Sequence, residues 1–272
     1  MCRMLGIVAS EPTDFKVCLR DAPRSLASLS RDHPHGWGLA VLAEPDGAAA
    51  GRWTLEKHPG CAQDDSRFHD VASSRGDVLI AHVRRRTVGP IGLQNTHPFQ
   101  RDGWIFAHNG TIDELDWMRR DVSPRRGAEI VGDTDSEVFF ASILSRLDAT
   151  GLGAGAPIDA IGGVLAAFVR ELGSRPSVGA CNFLLANDDA VYGYRQGRSL
   201  YALVRGPRDP VRLRRESQET GASVETPWTT RRTAVLIASE RMTDEPWQEV
   251  AERTLLRATR RPVPSLAVLV TP

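Results

Sequence analysis

Read for its pattern of apolar and polar positions, the chain opens with strand-like runs, passes through two stretches with helical spacing, and returns to short apolar runs at its end. Met4 to Ala9 is a short apolar segment that predicts a strand, closed by Ser10-Glu11-Pro12. Asp14 to Ser30 carries Phe15, Val17, Cys18, Leu19, Leu26 and Leu29 around Pro23 and predicts one or two short helices. The polar stretch from Arg31 feeds a strand that runs to Leu42. Pro45-Asp46-Gly47 signals a turn, and Arg52 to His58 is the returning strand of a hairpin. Val78 to Val83 stays apolar with few interruptions, as a strand covered on both faces does. Trp104 to His108 is another buried strand, and it stops where Asn109-Gly110 signals a turn.

The helical block follows. Val138, Phe139, Phe140, Ile143, Leu144 and Leu147 recur at helical spacing, and Thr134 with Glu137 reads as a capping box that sets Asp135 in the first turn. A flexible join, Gly151 to Pro157, leads into a second apolar helix from about Ile158 to Leu172, closed by Gly173. Asn182 to Ala186 and Val191 to Tyr194 then flank the turn Asn187-Asp188-Asp189, and Leu200 to Val204 follows. Arg208 to Thr229 is polar and reads as an exposed loop, with the last strands at Thr233 to Ser239 and Ser265 to Thr271. Strands, two helices and strands again predict one α+β domain over residues 1–272, with sheets packed between helix layers.

Composition narrows the function. Of 272 residues, 41% are hydrophobic and 25% charged, the profile of an ordinary globular protein. Lys+Arg and Asp+Glu both number 34, and a balanced chain lacks the basic excess that broad nucleic-acid binding needs. Arg212-Leu213-Arg214-Arg215 has Glu216 and Glu219 nearby and reads as solvated surface. No stretch approaches the ~20 apolar residues of a membrane span, and the expected location is cytoplasmic. Cys2, Cys18, Cys61 and Cys181 are widely separated, so neither a disulfide framework nor a zinc site is indicated. His33-Pro34-His35 is the only close histidine pair, and no metal is expected.

The chemistry starts at the second residue. Aminopeptidase removal of Met1 ahead of the small Cys2 leaves a free α-amine on the residue that carries the thiol. The amine titrates near ~7.7–8.0 and the thiol near ~8.5, so the neutral amine can take the thiol proton directly or through one water. Four further motifs follow: His82-Val83-Arg84, Asn95-Thr96-His97-Pro98, His108-Asn109-Gly110 and Asp133-Thr134-Asp135-Ser136-Glu137.

In this order behind Cys2, the motifs resemble the class II glutamine amidotransferases of the N-terminal nucleophile hydrolase superfamily. With His-Pro-His-Gly-Trp-Gly and Thr-His-Pro-Phe, the chain is most similar to the small stand-alone YafJ-like and EgtC-like types. The resemblance implies a four-layer αββα sandwich and no organic cofactor. It also implies Cys2 as nucleophile, the Asn109 side-chain amide and Gly110 N–H as oxyanion donors, Arg84 on the substrate α-carboxylate, and Asp135 on the α-ammonium. The substrate would be glutamine or another γ-glutamyl amide, cleaved through a Cys2 thioester.

Taken singly, each motif has a plainer reading. Arg84 is one of three consecutive arginines, Asn109-Gly110 is a hairpin turn, and Asp135 complements a helix dipole. His97 and His108 read as structural histidines, and Trp37 with Gly38 as packing beneath the site. The family often has Trp where this chain has Arg85, and a charged rim there changes which γ-glutamyl compound enters. Either ammonia passes to a separate synthase, or the enzyme cleaves a γ-glutamyl amide alone. The alternative from another class is a catalytically silent glutamine-binding regulatory module of the same fold.

Overall fold

The computed structural model describes residues 2–43, 51–206 and 232–272, with the backbone of two short strands at 215–216 and 223–224. In chain order, β1 (Arg3–Asp14) leads through a π-helical turn (Val17–Asp21) to α1 (Leu26–Ser30), β2 (Trp37–Ala43), β3 (Arg52–His58), α2 (Ser66–Val71) and β4 (Arg75–Val83). Then come β5 (Phe99–Arg101), β6 (Trp104–Ile112), α3 (Leu115–Arg120), α4 (Pro124–Ala128), α5 (Asp135–Ala149) and α6 (Ile158–Gly173). The remainder is β7 (Gly179–Ala186), β8 (Ala190–Tyr194), β9 (Tyr201–Arg205), β10 (Arg215–Glu216), β11 (Ser223–Val224), β12 (Ala234–Ala238), β13 (Gln248–Glu249), β14 (Leu255–Thr259) and β15 (Ser265–Val270).

Two sheets result. The first has the order β13-β9-β12-β1-β4-β2-β3 and the second β15-β14-β8-β7-β6-β5, while β10 and β11 pair with each other. Alternating side chains give each strand two faces, and both faces of the central strands are apolar, so four layers form around three cores. Met4, Val8, Val78 and Ile80 meet Ile105, Ala107, Leu184 and Val191 between the sheets. The opposite face of the first sheet, with Leu5, Leu79 and Leu236, is covered by Phe15, Leu19, Leu26 and Phe68. The opposite face of the second, with Phe106, Phe183 and Tyr192, is covered by Phe139, Ile143, Leu165 and Phe168 of α5 and α6. Each fully buried side chain of the size of Phe139 or Leu236 stabilises by about 1.5–3 kcal/mol, so helices too short to persist alone are held by the sheets.

Several expectations change. β1 runs on to Asp14, with a register shift between Val8 and Thr13. Asn109-Gly110 is no turn: β6 continues to Ile112 with Asn109 opposite Asn182 and Gly110 opposite Cys181. The predicted capping box does not form. Thr134 occupies the N-cap position of α5 without a side-chain cap bond, and Glu137 takes the Gly132 N–H at 2.5 Å and the Arg101 guanidinium at 3.1 Å instead. The segment before α5 folds back and aims its own N–H groups at that carboxylate. Helices α2, α3 and α4, with five or six residues each, escaped the helical pattern because they are too short to show a period. The turn predicted at Pro45-Asp46-Gly47 lies outside the described residues, as does the loop predicted from Arg208 to Thr229 apart from β10 and β11.

Candidate active site at one end of the sheet sandwich

β1 and β4 are antiparallel, with Arg3 opposite Val83 and Met4 opposite His82. Cys2 and Arg84 therefore extend neighbouring strands just beyond the paired register. Alternation fixes their direction: Met4, Val8, Val78 and Ile80 face the core between the sheets, and Cys2 and Arg84 keep that parity. On the facing sheet Ile105 and Ala107 point into the same core, so Asn109 points there as well. The His82 ring lies against the backbone of His108, which brings Asn109 to the same end of the sandwich.

Cys2 is half-buried. Its sulfur accepts the Arg85 N–H at 3.4 Å and lies 3.5 Å from the Arg85 carbonyl oxygen. Burial pushes the thiol above its ordinary value, while the Arg85 amide contact and the charges of Arg84 and Arg3 pull it down. A thiol in this state needs a base to become a nucleophile.

Arg84 is only 3% exposed and grips a loop, with Nη2 donating to the Val88 carbonyl at 2.7 Å and Nη1 to the Pro90 carbonyl at 3.0 Å. Asn95 joins that loop to the segment before α5. Its Nδ2 donates to the Pro90 carbonyl at 3.1 Å and to Asp133 Oδ2 at 3.4 Å, and its Oδ1 accepts the Asp133 N–H at 2.8 Å. Sequence reasoning placed Asn95 in a motif without giving it this task, since nothing in one sequence shows that residues 90 and 133 meet.

Asp135 makes no bond to Cys2 or Arg84. Its Oδ2 accepts the Ile112 N–H at 2.7 Å at the end of β6, and its Oδ1 lies 3.4 Å from Ser136 Oγ. The strand that carries Asn109 and Gly110 is thus tied to the start of α5. The Asn109 Oδ1 is buried without a hydrogen-bond partner. A Cβ on Gly110 would lie 1.8 Å from the Ala180 carbonyl oxygen, so only glycine fits there.

The histidines divide as their surroundings dictate. His108 Nε2 donates to the Ala180 carbonyl at 3.1 Å, which leaves Nδ1 to accept from Ser136 Oγ at 2.9 Å and assigns the tautomer from its partners. This is the structural role expected of it. His82 and His97 pack against each other with ring centroids 4.4 Å apart and planes tilted by 37°, and neither ring makes a hydrogen bond of full geometry. Burial lowers His82 to about 3 and lowers His97 strongly, so both are neutral at physiological pH. Trp37 is 1% exposed and packs in the core under the first sheet, with its indole N–H on Asp65. Gly38 lets the His97 backbone lie on β2, since a Cβ there would come within 2.1 Å of the His97 oxygen. Among the described residues no cluster of ligating side chains could hold a metal ion. A cavity of about 450 Å³ lies elsewhere, between the edge strands β3 and β5 beside Lys57, Leu93, Phe99 and Val131.

The fold and this arrangement define the class. A protein from Pseudomonas aeruginosa PA01, described as a predicted glutamine amidotransferase, superposes with a TM-score of 0.62 at 23% identity over 98% of this chain and 99% of that one. Glutamine phosphoribosylpyrophosphate amidotransferase of B. subtilis superposes with a TM-score of 0.59 at 15% identity, over 99% of this chain and 50% of that one. The fold is the α+β sandwich of the N-terminal nucleophile hydrolases. Residues 1–265 match the family Glutamine amidotransferases class-II, and the chain belongs to it. Among its relatives, the putative glutamine amidotransferase YafJ of Escherichia coli K12 is 25% identical over 92% of this chain and 94% of its own. A putative glutamine amidotransferase of Haemophilus influenzae and an uncharacterized protein of Methanocaldococcus jannaschii are each 32% identical, over 55% and 54% of this chain. The chain matches 49% and 39% of their respective lengths.

Proposed function

We propose that residues 1–272 form one amidohydrolase domain that cleaves the side-chain amide of glutamine or of another γ-glutamyl compound, with Cys2 as nucleophile. What supports this reading is strand parity: Cys2 and Arg84 share the parity of the first sheet's inter-sheet face, and Asn109 shares that of the facing strand β6. After loss of Met1, the Cys2 amine takes the thiol proton, and the thiolate attacks the amide carbon. Asn109 and the Gly110 N–H stabilise the oxyanion. Arg84 holds the α-carboxylate with donors not spent on the 88–90 loop, and Asp135 Oδ1 holds the α-ammonium. The amine leaves with the proton from Cys2, and water resolves the thioester to glutamate. Ammonia, when glutamine is the substrate, is free to pass to a separate synthase.

Intact mass before and after exposure to an electrophilic glutamine analogue tests the proposal, with Cys2→Ala in parallel. We expect loss of Met1 and one analogue bound per chain, with none on Cys2→Ala. Retained Met1 with no labelling would overturn it in favour of a glutamine-binding module.

A further inference from the structure

Ser136 has one hydroxyl hydrogen and two acceptors within reach. His108 Nδ1 lies 2.9 Å from its Oγ, and Asp135 Oδ1 lies 3.4 Å from it. Which of them receives the hydrogen is decided on the far side of the imidazole. His108 Nε2 faces the Ala180 carbonyl at 3.1 Å, and a carbonyl can only accept, so Nε2 carries the ring proton. Burial disfavours a second ring proton, against the pull of Asp135 and of the Ala180 carbonyl. Nδ1 is therefore bare, and as the nearer acceptor it takes the Ser136 hydrogen.

The direction of that one hydrogen decides what Asp135 can accept. Its Oδ2 is engaged by the Ile112 N–H at 2.7 Å, and among the described residues the side-chain donor beside Oδ1 is the Ser136 hydroxyl. With the hydrogen turned to His108, Oδ1 is left without a donor. With His108 absent, the same hydroxyl would turn to Oδ1 and compete there with any incoming cation. All three side chains are buried, so the competition is settled among them with little help from bulk water.

We propose that His108 and Ser136 are positioning residues for α-ammonium recognition: the ring draws the Ser136 hydrogen to itself and leaves Asp135 Oδ1 open, so that amides with a free α-ammonium are selected over those without one. The inference rests on the amidohydrolase reading above. Both residues act through Asp135 and take no part in bond making.

The ratio of kcat/KM for glutamine to that for glutaramate, the same amide without the α-amino group, tests it in wild type, His108→Leu and His108→Leu/Ser136→Ala. One charge-assisted contact predicts a wild-type preference of about 10–150-fold for glutamine. His108→Leu turns the hydroxyl hydrogen to Asp135 and should lower that ratio by about 3–10-fold. Adding Ser136→Ala should restore it to within about twofold of wild type. A loss caused by disturbed packing would not be repaired by removing a second side chain. Equal kcat/KM for the two amides in the wild type, an unchanged ratio in His108→Leu, or a fall that Ser136→Ala does not repair overturns the proposal and leaves the amidohydrolase standing. Nitrogen chemical shifts of the histidine rings in the wild type give a readout that needs no variant to fold. His108 should be neutral with its proton on Nε2, and a proton on Nδ1 overturns the proposal. Turnover of neither amide by the wild type overturns the amidohydrolase itself, and the positioning role with it.

Discussion

The carboxylate of Asp135 accepts the Ile112 N–H at 2.7 Å, so the residue proposed to hold the substrate ammonium also fastens α5 to β6. The two tasks separate by substitution. Asp135→Asn keeps an acceptor for the Ile112 N–H and should lose only about 1 kcal/mol of stability, whereas Asp135→Ala leaves that N–H buried and unpaired at a cost of about 1–3 kcal/mol. Both should raise KM for a γ-glutamyl substrate by roughly tenfold or more, because a charge-assisted contact is lost. Denaturant unfolding and steady-state kinetics on the two variants measure this, and an unchanged KM in Asp135→Asn removes Asp135 from the binding site.

Gly110→Ala should cost several kcal/mol or prevent folding, since its new methyl lies 1.8 Å from the Ala180 carbonyl oxygen in a paired strand. Gly153→Ala is the control. Nothing lies within 4 Å of a Cβ there, and its unfolding free energy should stay within about 0.5 kcal/mol of wild type.

His82 makes stability depend on acid. Its folded value of about 3 lies below its ordinary 6.5, so as pH falls through 6.5 the unfolded chain binds a proton that the folded chain refuses. Stability therefore falls between pH 6.5 and about 3, with roughly 2 kcal/mol lost by about pH 5 from this one ring. His82→Leu should flatten that limb in urea titrations at several pH values. An identical slope in wild type and variant contradicts the account.

Lys57 works at the other end of the scale. Burial lowers its ammonium to about 8 from 10.5, and its Nζ donates to the Thr96 carbonyl at 2.9 Å above the Phe99 ring. Between pH 8 and 10.5 the unfolded chain keeps a proton that the folded chain releases, so this group raises stability as pH rises. Lys57→Met should remove that rise. The readout is the difference between the two proteins' stability curves, because other groups titrate in the same range.

Much of the fold was legible because long apolar runs leave few options. Val78–Val83, the α5 spacing and the hairpin into Arg52–His58 all stand where the pattern put them. The failures share a cause, which is that local signals yield to tertiary partners. Asn109-Gly110 turns in isolation, yet β7 pairs with both residues and keeps the strand extended. Thr134 and Glu137 satisfy the capping pattern, yet Arg101 and the folded-back Gly132 N–H claim the carboxylate. Cys2 and Arg84 extend neighbouring strands because β1 and β4 pair antiparallel with Arg3 opposite Val83. What one sequence could not show was the commitment of Arg84 to the 88–90 loop, the unpartnered His82–His97 pair, or the way Asn95 closes across a gap of many residues.

The Asn95 bridge has a mechanical consequence. Through Pro90 on one side and Asp133 on the other, it makes the support of Arg84 and the approach to Asp135 into one rigid piece. On the proposed roles, the distance between the two recognition charges is then a fixed gauge. A head group with an added methylene between carboxylate and ammonium would find neither jaw free to open independently of the other, and the enzyme would reject it on length before chemistry began.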